Sequence, residues 1–144
     1  MTSTLLKYLL RILPLVYMVM IWYQSERFDP ESVAHWPKHI LYAFGAVLEM
    51  LHLFQFGLLY FVVILALITY GEITWQKNVF AGLAAVLYAA ADEIHQHFVP
   101  FRSMSAVDFM KDVIGVLAVY WFLRSSSRAQ NSKLGKLLRK CAQL

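Results

Sequence analysis

The chain has 144 residues, of which 60% are hydrophobic and 15% charged, and its formal net charge is +4. Ordinary soluble domains contain about 45–50% apolar and 25% charged residues, so this composition indicates a membrane protein. The length predicts one domain rather than a membrane unit joined to a soluble one. The single cysteine, Cys141, excludes an internal disulfide.

Four apolar segments are predicted to cross the membrane as helices, because each is close to the roughly 20 residues that span a hydrocarbon core. They lie at residues 5–23, 48–69, 78–99 and 105–123. The first lacks a small-residue cleavage site and is predicted to be a retained anchor. The stretch Ile40–Val47 is too short to span, and is predicted to lie at the interface or to extend the second helix. The predicted fold class is an all-α integral membrane four-helix bundle over residues 1–127, with a short interfacial segment and an amphipathic tail.

The thirteen lysines and arginines predict how the spans are oriented. One side of the predicted bundle holds nine of them, namely Lys7, Arg11, Lys77, Arg124, Arg128, Lys133, Lys136, Arg139 and Lys140. The other side holds the remaining four, Arg27, Lys38, Arg102 and Lys111. By the positive-inside rule, we expect a multi-pass protein of the cell membrane with both termini in the cytoplasm.

The tail at residues 128–144 is predicted to be a separate amphipathic element. Leu134, Leu137, Leu138 and Cys141 recur at helical spacing, among lysines and arginines. Such a helix is expected to lie on the anionic lipids of the inner leaflet. Nucleic acid is not an expected partner, because basic residues routinely flank membrane spans.

The polar residues of the third and fourth predicted spans are the candidate functional site. They are Asp92, Glu93, Gln96, Arg102, Asp108, Lys111 and Asp112. A charged side chain within a span costs about 2.5–3.5 kcal/mol at the helix centre, so such groups need pairing, water or a ligand. Residues four apart share a helix face, and the short connector makes the two helices antiparallel neighbours. We therefore expect Arg102 or Lys111 to bridge carboxylates.

Two stretches of the sequence resemble the signature of VanZ-like membrane proteins. One is Asp92–Ser103, DEIHQHFVPFRS, followed by Asp108 and then by Lys111–Gly115, KDVIG. In that family an acidic residue precedes a glutamine by three, a Pro-Gly-Arg turn follows, and an aspartate and a glycine lie on the fourth helix. The other stretch is HLFQFGLLY, in which a histidine is followed by an aromatic residue and a glycine, as at His52, Phe56 and Gly57.

The chain departs from the family pattern at two places. Phe101 replaces the usual glycine of the turn, and Lys111-Asp112 stands where many members carry a neutral asparagine. The resemblance implies a small four-helix envelope protein of Gram-positive type, from a family named for glycopeptide-antibiotic resistance. It also implies functional positions, which are His52, Glu93, Gln96, Arg102 and Asp108. It implies no particular reaction.

The leading hypothesis is that an outer-leaflet polar pocket binds an amphiphilic or lipid-linked headgroup. Arg102 is expected to pair with a phosphate or carboxylate, while Gln96 and His52 bond to sugar or amide groups. Glu93 and Asp108 are expected to orient the arginine. The full set of predicted ligand-binding residues is His52, Asp92, Glu93, Gln96, Arg102, Asp108 and Asp112. No cofactor or metal is expected.

Other hypotheses stay open at this point. Glu49 and His52, like Asp92 and His95, have an acid three residues before a histidine, which superficially suggests a metal-assisted membrane enzyme. Acids and histidines inside spans can also relay protons in a transporter, for which a homo-oligomer could complete the pathway. A purely structural hypothesis treats the polar residues as hydrogen-bonded pairs that hold the helices in register.

Overall fold

The computed structural model describes residues 2–27, 35–100 and 102–128 of the chain. These residues form four α-helices and no strand, which confirms the predicted all-α class. The helices are α1 (Thr2–Arg27), α2 (Lys38–Ile68), α3 (Trp75–Gln96) and α4 (Ala106–Arg128). Phe101 and the predicted tail beyond Arg128 lie outside the described residues.

Consecutive helices run antiparallel, which follows from their hydrogen bonds. The guanidinium of Arg11 near the start of α1 donates to the Thr69 hydroxyl beyond the end of α2 (2.9 Å). Tyr88 of α3 donates to the Met18 carbonyl of α1 (2.6 Å). The start of α1 therefore lies at the same end of the bundle as the end of α2, and α3 runs in the opposite direction to α2.

The stretch Ile40–Val47 is part of α2, so the structure confirms the alternative in which this stretch extends the second helix rather than forming a separate interfacial segment. The helix begins at Lys38, where the backbone N–H groups of Ile40 and Leu41 donate to the Pro37 carbonyl. No proline interrupts the chain from there to Ile68. The helix therefore continues through Ile40–Val47, which was the alternative prediction.

Two of the described helices are long and apolar enough to cross a membrane. The qualifying segments are Thr4–Glu26 in α1 and Met50–Ile68 in α2. The other two helices do not contain such a segment, and they carry acidic residues that include Asp92 and Glu93 in α3 and Asp112 in α4. The predicted bundle of four spans is therefore supported for two helices by length and composition.

Apolar side chains cover much of the surface, whereas several charged ones are buried. Large exposed side chains occur on every helix, among them Val19, Phe54, Leu87 and Phe122. Among the described residues, the buried polar ones are Ser25, Asp92, Glu93, Gln96 and Asp112. Polar groups that face the bundle interior beneath an apolar exterior are typical of helices packed within a membrane.

Small residues let the helices approach closely beside the buried polar groups. A Cβ atom on Gly115 of α4 would collide with the backbone carbonyl oxygen of Leu53 in α2. Gly57 of α2 similarly faces the Gly115 carbonyl oxygen, which lies 2.8 Å from where a Cβ would be. Small side chains at such crossings allow backbones to touch, so α2 and α4 are in direct backbone contact.

On α3, an alanine stripe leads to the first of the buried acids. Ala81, Ala85 and Ala89 are fully buried, and Glu93 is the next residue at the same four-residue spacing. Residues four apart lie on one face of a helix. The face that packs into the bundle therefore also directs the Glu93 carboxylate inward.

Candidate functional site

A polar cluster occupies the end of the bundle where α1 and α3 finish and α4 begins. Its members are Ser25, His52, Asp92, Glu93, Gln96, Arg102, Ser105, Asp108, Lys111 and Asp112. All seven residues predicted to bind a ligand are in this cluster. Ser25 and Ser105 were not predicted, and they join the cluster through hydrogen bonds described below.

A row of hydrogen bonds connects α1 to the connector between α3 and α4. The Ser25 hydroxyl lies 2.7 and 2.9 Å from the two carboxylate oxygens of Asp92. The Gln96 amide nitrogen donates to Asp92 Oδ2 (2.8 Å). Arg102 Nη2 in turn donates to Gln96 Oε1 (2.7 Å). Gln96 thus uses both ends of its amide, and the row links the guanidinium to the buried Asp92 carboxylate through this one side chain.

Ser105 organises the start of α4 and one carboxylate of α3. Its backbone N–H donates to Glu93 Oε2 (2.8 Å), and its hydroxyl accepts from the Asp108 N–H (3.2 Å). A serine that accepts from the N–H three residues later is an N-cap. The same residue therefore begins α4 and holds Glu93 in place.

Lys111 and Asp108 form an ion pair within the first turns of α4. Lys111 Nζ lies 2.9 Å from Asp108 Oδ1, three residues away, and both side chains are partly exposed. Pairs at this spacing on exposed helix surfaces contribute only about 0.2–0.5 kcal/mol. Lys111, which belongs to one of the chain's two departures from the family pattern, thus lies next to Asp108 of the family motif.

His52, Glu93 and Asp112 bring together, from three helices, buried polar atoms that have no hydrogen-bond partner among the described residues. The exposed fraction is 3% for Glu93 and 1% for Asp112. Glu93 Oε1, both oxygens of Asp112 and His52 Nδ1 are buried without a hydrogen-bond partner among the described residues. One ligand atom from each of these residues lies within 4.8 Å of the others.

His95 lies apart from this trio. Its ring stacks on Trp22 of α1, with centroids 3.7 Å apart and an interplanar angle of 19°. Its Nε2 is 3.6 Å from Glu26 Oε1. The metal arrangement considered from the sequence included His95 and Glu49. The structure does not place His95 with His52, Glu93 and Asp112, and the Glu49 side chain lies outside the described residues.

A cavity of about 270 Å³ lies near the opposite end of the bundle. Its lining is mainly apolar and includes Tyr60, Trp75, Asn78, Leu123 and Arg124. The Tyr60 hydroxyl donates to the Asn78 side-chain carbonyl beside it. This cavity is separate from the polar cluster, and none of the predicted ligand-binding residues lines it.

The comparisons with known proteins agree with the resemblance seen in the motifs. The model of the family described as VanZ/LLP1 matches residues 2–127. The matched region includes every member of the polar cluster. No curated protein and no solved structure matches the chain.

Proposed function

The chain belongs to the VanZ/LLP1 family, and from that premise we propose that its polar cluster binds the anionic headgroup of an amphiphilic or lipid-linked envelope molecule. Two candidate membrane-spanning helices and this family membership indicate a membrane protein. The observation that carries the proposal is the hydrogen-bonded row from Ser25 to Arg102.

The row supports binding because it orients a guanidinium before any ligand arrives. Gln96 holds Arg102, and Asp92 and Ser25 hold Gln96, so the support is buried while Arg102 is only partly buried. A guanidinium presents N–H donors in a planar fork that matches the oxygens of phosphate and carboxylate. Binding by a side chain that is already ordered loses less conformational entropy.

The surroundings of the row favour a ligand that has both a polar and an apolar part. The row lies at one end of the bundle, and exposed apolar side chains such as Phe98 and Met104 are nearby in the chain. A lipid tail can lie against such side chains while its headgroup reaches the cluster. A soluble anion would gain nothing from the apolar surface.

The proposal includes a place in the envelope and an orientation. All four helices cross the cell membrane, both termini are cytoplasmic, and the polar cluster faces the outer leaflet. The support is the nine-to-four division of lysines and arginines between the two sides of the bundle predicted from the sequence. In this position the cluster meets lipid-linked precursors of the outer envelope, and the family name suggests that such binding contributes to glycopeptide resistance.

Binding to the full-length protein in detergent tests the proposal, with farnesyl phosphate as the probe and farnesol as its uncharged counterpart. We expect farnesyl phosphate to raise the unfolding temperature of the wild type and farnesol to raise it much less. Arg102→Lys keeps the charge but loses the planar fork. Because hydrogen bonds to charged groups contribute about 1.5–3 kcal/mol, its affinity should fall roughly tenfold to a hundredfold.

Arg124→Lys is the matched control. Arg124 lies at the other end of α4, where it contacts the Tyr120 hydroxyl (3.2 Å). This variant should bind farnesyl phosphate as the wild type does. Equal binding by the Arg102→Lys protein, or equal effects of the phosphate and the alcohol, would contradict the proposal.

A second experiment measures resistance in cells. In cells that make equal amounts of protein, only the Arg102→Lys variant should lose resistance to a lipid-tailed glycopeptide.

A further inference from the structure

We infer that His52, Glu93 and Asp112 form a binding site for one divalent transition-metal cation of the Zn²⁺ or Mn²⁺ type. The inference goes beyond headgroup binding, because it concerns a different set of atoms from the row that ends at Arg102. It stands on three observations: the spacing of the ligand atoms, their lack of partners, and the chemistry of the donor set.

The spacing fits a shared cation better than a hydrogen bond. His52 Nδ1 and Asp112 Oδ1 are 3.6 Å apart, which is beyond the range of an ordinary N–H···O bond. Two atoms bound at about 2.1 Å to one tetrahedral metal lie about 3.4 Å from each other. The third ligand, from Glu93, completes a set whose atoms are all within 4.8 Å of one another.

The second observation is that the polar atoms of these three side chains have no hydrogen-bond partners among the described residues, although they lie close to one another. Asp112 is 1% exposed, and neither of its carboxylate oxygens accepts a hydrogen bond from a described residue. Glu93 has one oxygen held by the Ser105 N–H and the other without a partner. Burying a carboxylate without a hydrogen-bond partner is costly, and two carboxylates this close repel each other. A divalent cation between them removes both penalties.

The donor set indicates which cation binds. One imidazole nitrogen and two carboxylate oxygens suit Zn²⁺ and Mn²⁺, whereas all-oxygen sites suit Mg²⁺ and Ca²⁺ and thiolate sites suit Cu(I). The chain's only cysteine is Cys141, which is not among these ligands. Three protein ligands on a metal also leave coordination positions for water or an anion.

The fold holds these ligands on rigid elements. Next to His52, Leu53 touches Gly115 of α4 through its backbone, and Asp112 lies one helical turn before that glycine. Glu93 continues the buried alanine stripe of α3, which packs into the same interior. Ligands presented by three packed helices, with one of them anchored by the Ser105 N–H, are pre-organised for one cation.

Metal binding to the full-length protein in detergent tests the inference directly. After removal of metal with a chelator, Zn²⁺ and Mn²⁺ are titrated separately by calorimetry, with no lipid probe present. We expect one ion per chain for the wild type and a higher unfolding temperature in its presence. X-ray absorption of the Zn²⁺-loaded wild type should report low-atomic-number ligands, including one imidazole, at about 2.0–2.2 Å. This measurement needs no variant.

Two variants and one control identify the ligands. Asp112→Asn and His52→Ala should each weaken Zn²⁺ binding by at least about tenfold to a hundredfold, since even indirect partners of a metal contribute that much. His97→Ala is the control, because His97 is exposed at the end of α3 and is not in the trio. This control should bind Zn²⁺ as the wild type does.

The stability of the metal-free proteins separates a metal site from an ion pair. At a metal site, Asp112→Asn relieves the repulsion between two buried carboxylates, so the metal-free variant should unfold at the same temperature as the metal-free wild type or higher. If His52 and Asp112 are instead a structural ion pair, the variant unfolds at a lower temperature and Zn²⁺ does not stabilise the wild type. That result, the absence of binding by the wild type, or undiminished binding by both variants would overturn the inference. Because no lipid is present, none of these results depends on the headgroup proposal.

Discussion

Gly115 of α4 lies against the backbone carbonyl oxygen of Leu53 in α2, so closely that a Cβ atom at this position would overlap it. This contact fixes how far apart the two helices are beside the polar cluster. His52 precedes Leu53 in α2, and Asp112 lies one turn before Gly115 in α4. The distance of 3.6 Å between the imidazole and the carboxylate therefore depends on a glycine three residues away.

The first prediction is that Gly115→Ala destabilises the protein. The added methyl meets backbone rather than a flexible side chain, so the helices must separate. Overpacking usually costs about 1–3 kcal/mol, and overlap with backbone puts the cost here at the upper end of that range. A helix propensity gain of about 1 kcal/mol then offsets only part of it. Thermal unfolding in detergent should show a lower midpoint than that of the wild type.

Gly82→Ala in α3 is the matched control for this prediction. No atom lies within 4 Å of a Cβ at Gly82, so the methyl meets open space. The substitution should leave stability unchanged or raise it by about 0.5–1 kcal/mol. A Gly115→Ala protein as stable as the Gly82→Ala protein would show that the close crossing of α2 and α4 is not required.

The second prediction concerns Ser25, which ties α1 to the cluster. Its hydroxyl bonds to the carboxylate of Asp92, and both side chains are buried. Ser25→Ala removes a donor from a buried charged group, and such a loss costs about 1–3 kcal/mol. Ser103→Ala, at an exposed serine of the connector, should change stability by less than about 0.5 kcal/mol. Equal unfolding midpoints for the two variants would be inconsistent with the Ser25–Asp92 bond.

The location of the cluster was predictable from the sequence, whereas its pairings were not. Ionisable residues between apolar segments, at the spacings of a helix, place the acids of α3 and α4 near Arg102. The partner of each group depends on helix rotation and on the separation set by Gly115. In the structure Arg102 bonds to the Gln96 amide and Lys111 to Asp108. The assignment of seven residues to ligand binding stays a prediction.

Other features differed in how far the sequence predicted them, and each difference has a physical reason. Ser25 lies in the last turn of α1, and in the sequence that turn looks like the start of a polar connector. The continuation of α2 through residues 40–47 was one of two alternatives, because a short apolar segment fits an interfacial segment and a helix equally well. The family itself was recognisable from motifs, and the match over residues 2–127 confirms it.

The third prediction concerns the tail predicted at residues 128–144, which from residue 129 onward lies outside the described residues. A synthetic peptide with this sequence should bind vesicles containing phosphatidylglycerol. Its affinity should fall as salt rises, since surface charge is screened over about 8–10 Å at ordinary ionic strength. Vesicles of phosphatidylcholine alone are the control, and equal binding to both would contradict an electrostatic role.

The protein truncated after Arg128 should still fold, because the hydrogen bonds described above lie within residues 2–127.

The last prediction is the orientation of the bundle, tested with cysteines at its two ends. Ser103 lies in the connector between α3 and α4, and Ser125 near the end of α4, and both are exposed. In a Cys141→Ser background, an impermeant thiol reagent should label Ser103→Cys in intact cells. It should label Ser125→Cys only after the cells are permeabilised. The reason is the distribution of basic residues, nine of thirteen of which lie on the side of the predicted bundle that carries Ser125. Labelling of Ser125→Cys in intact cells, with Ser103→Cys protected, would show that the bundle is inverted and that the polar cluster faces the cytoplasm.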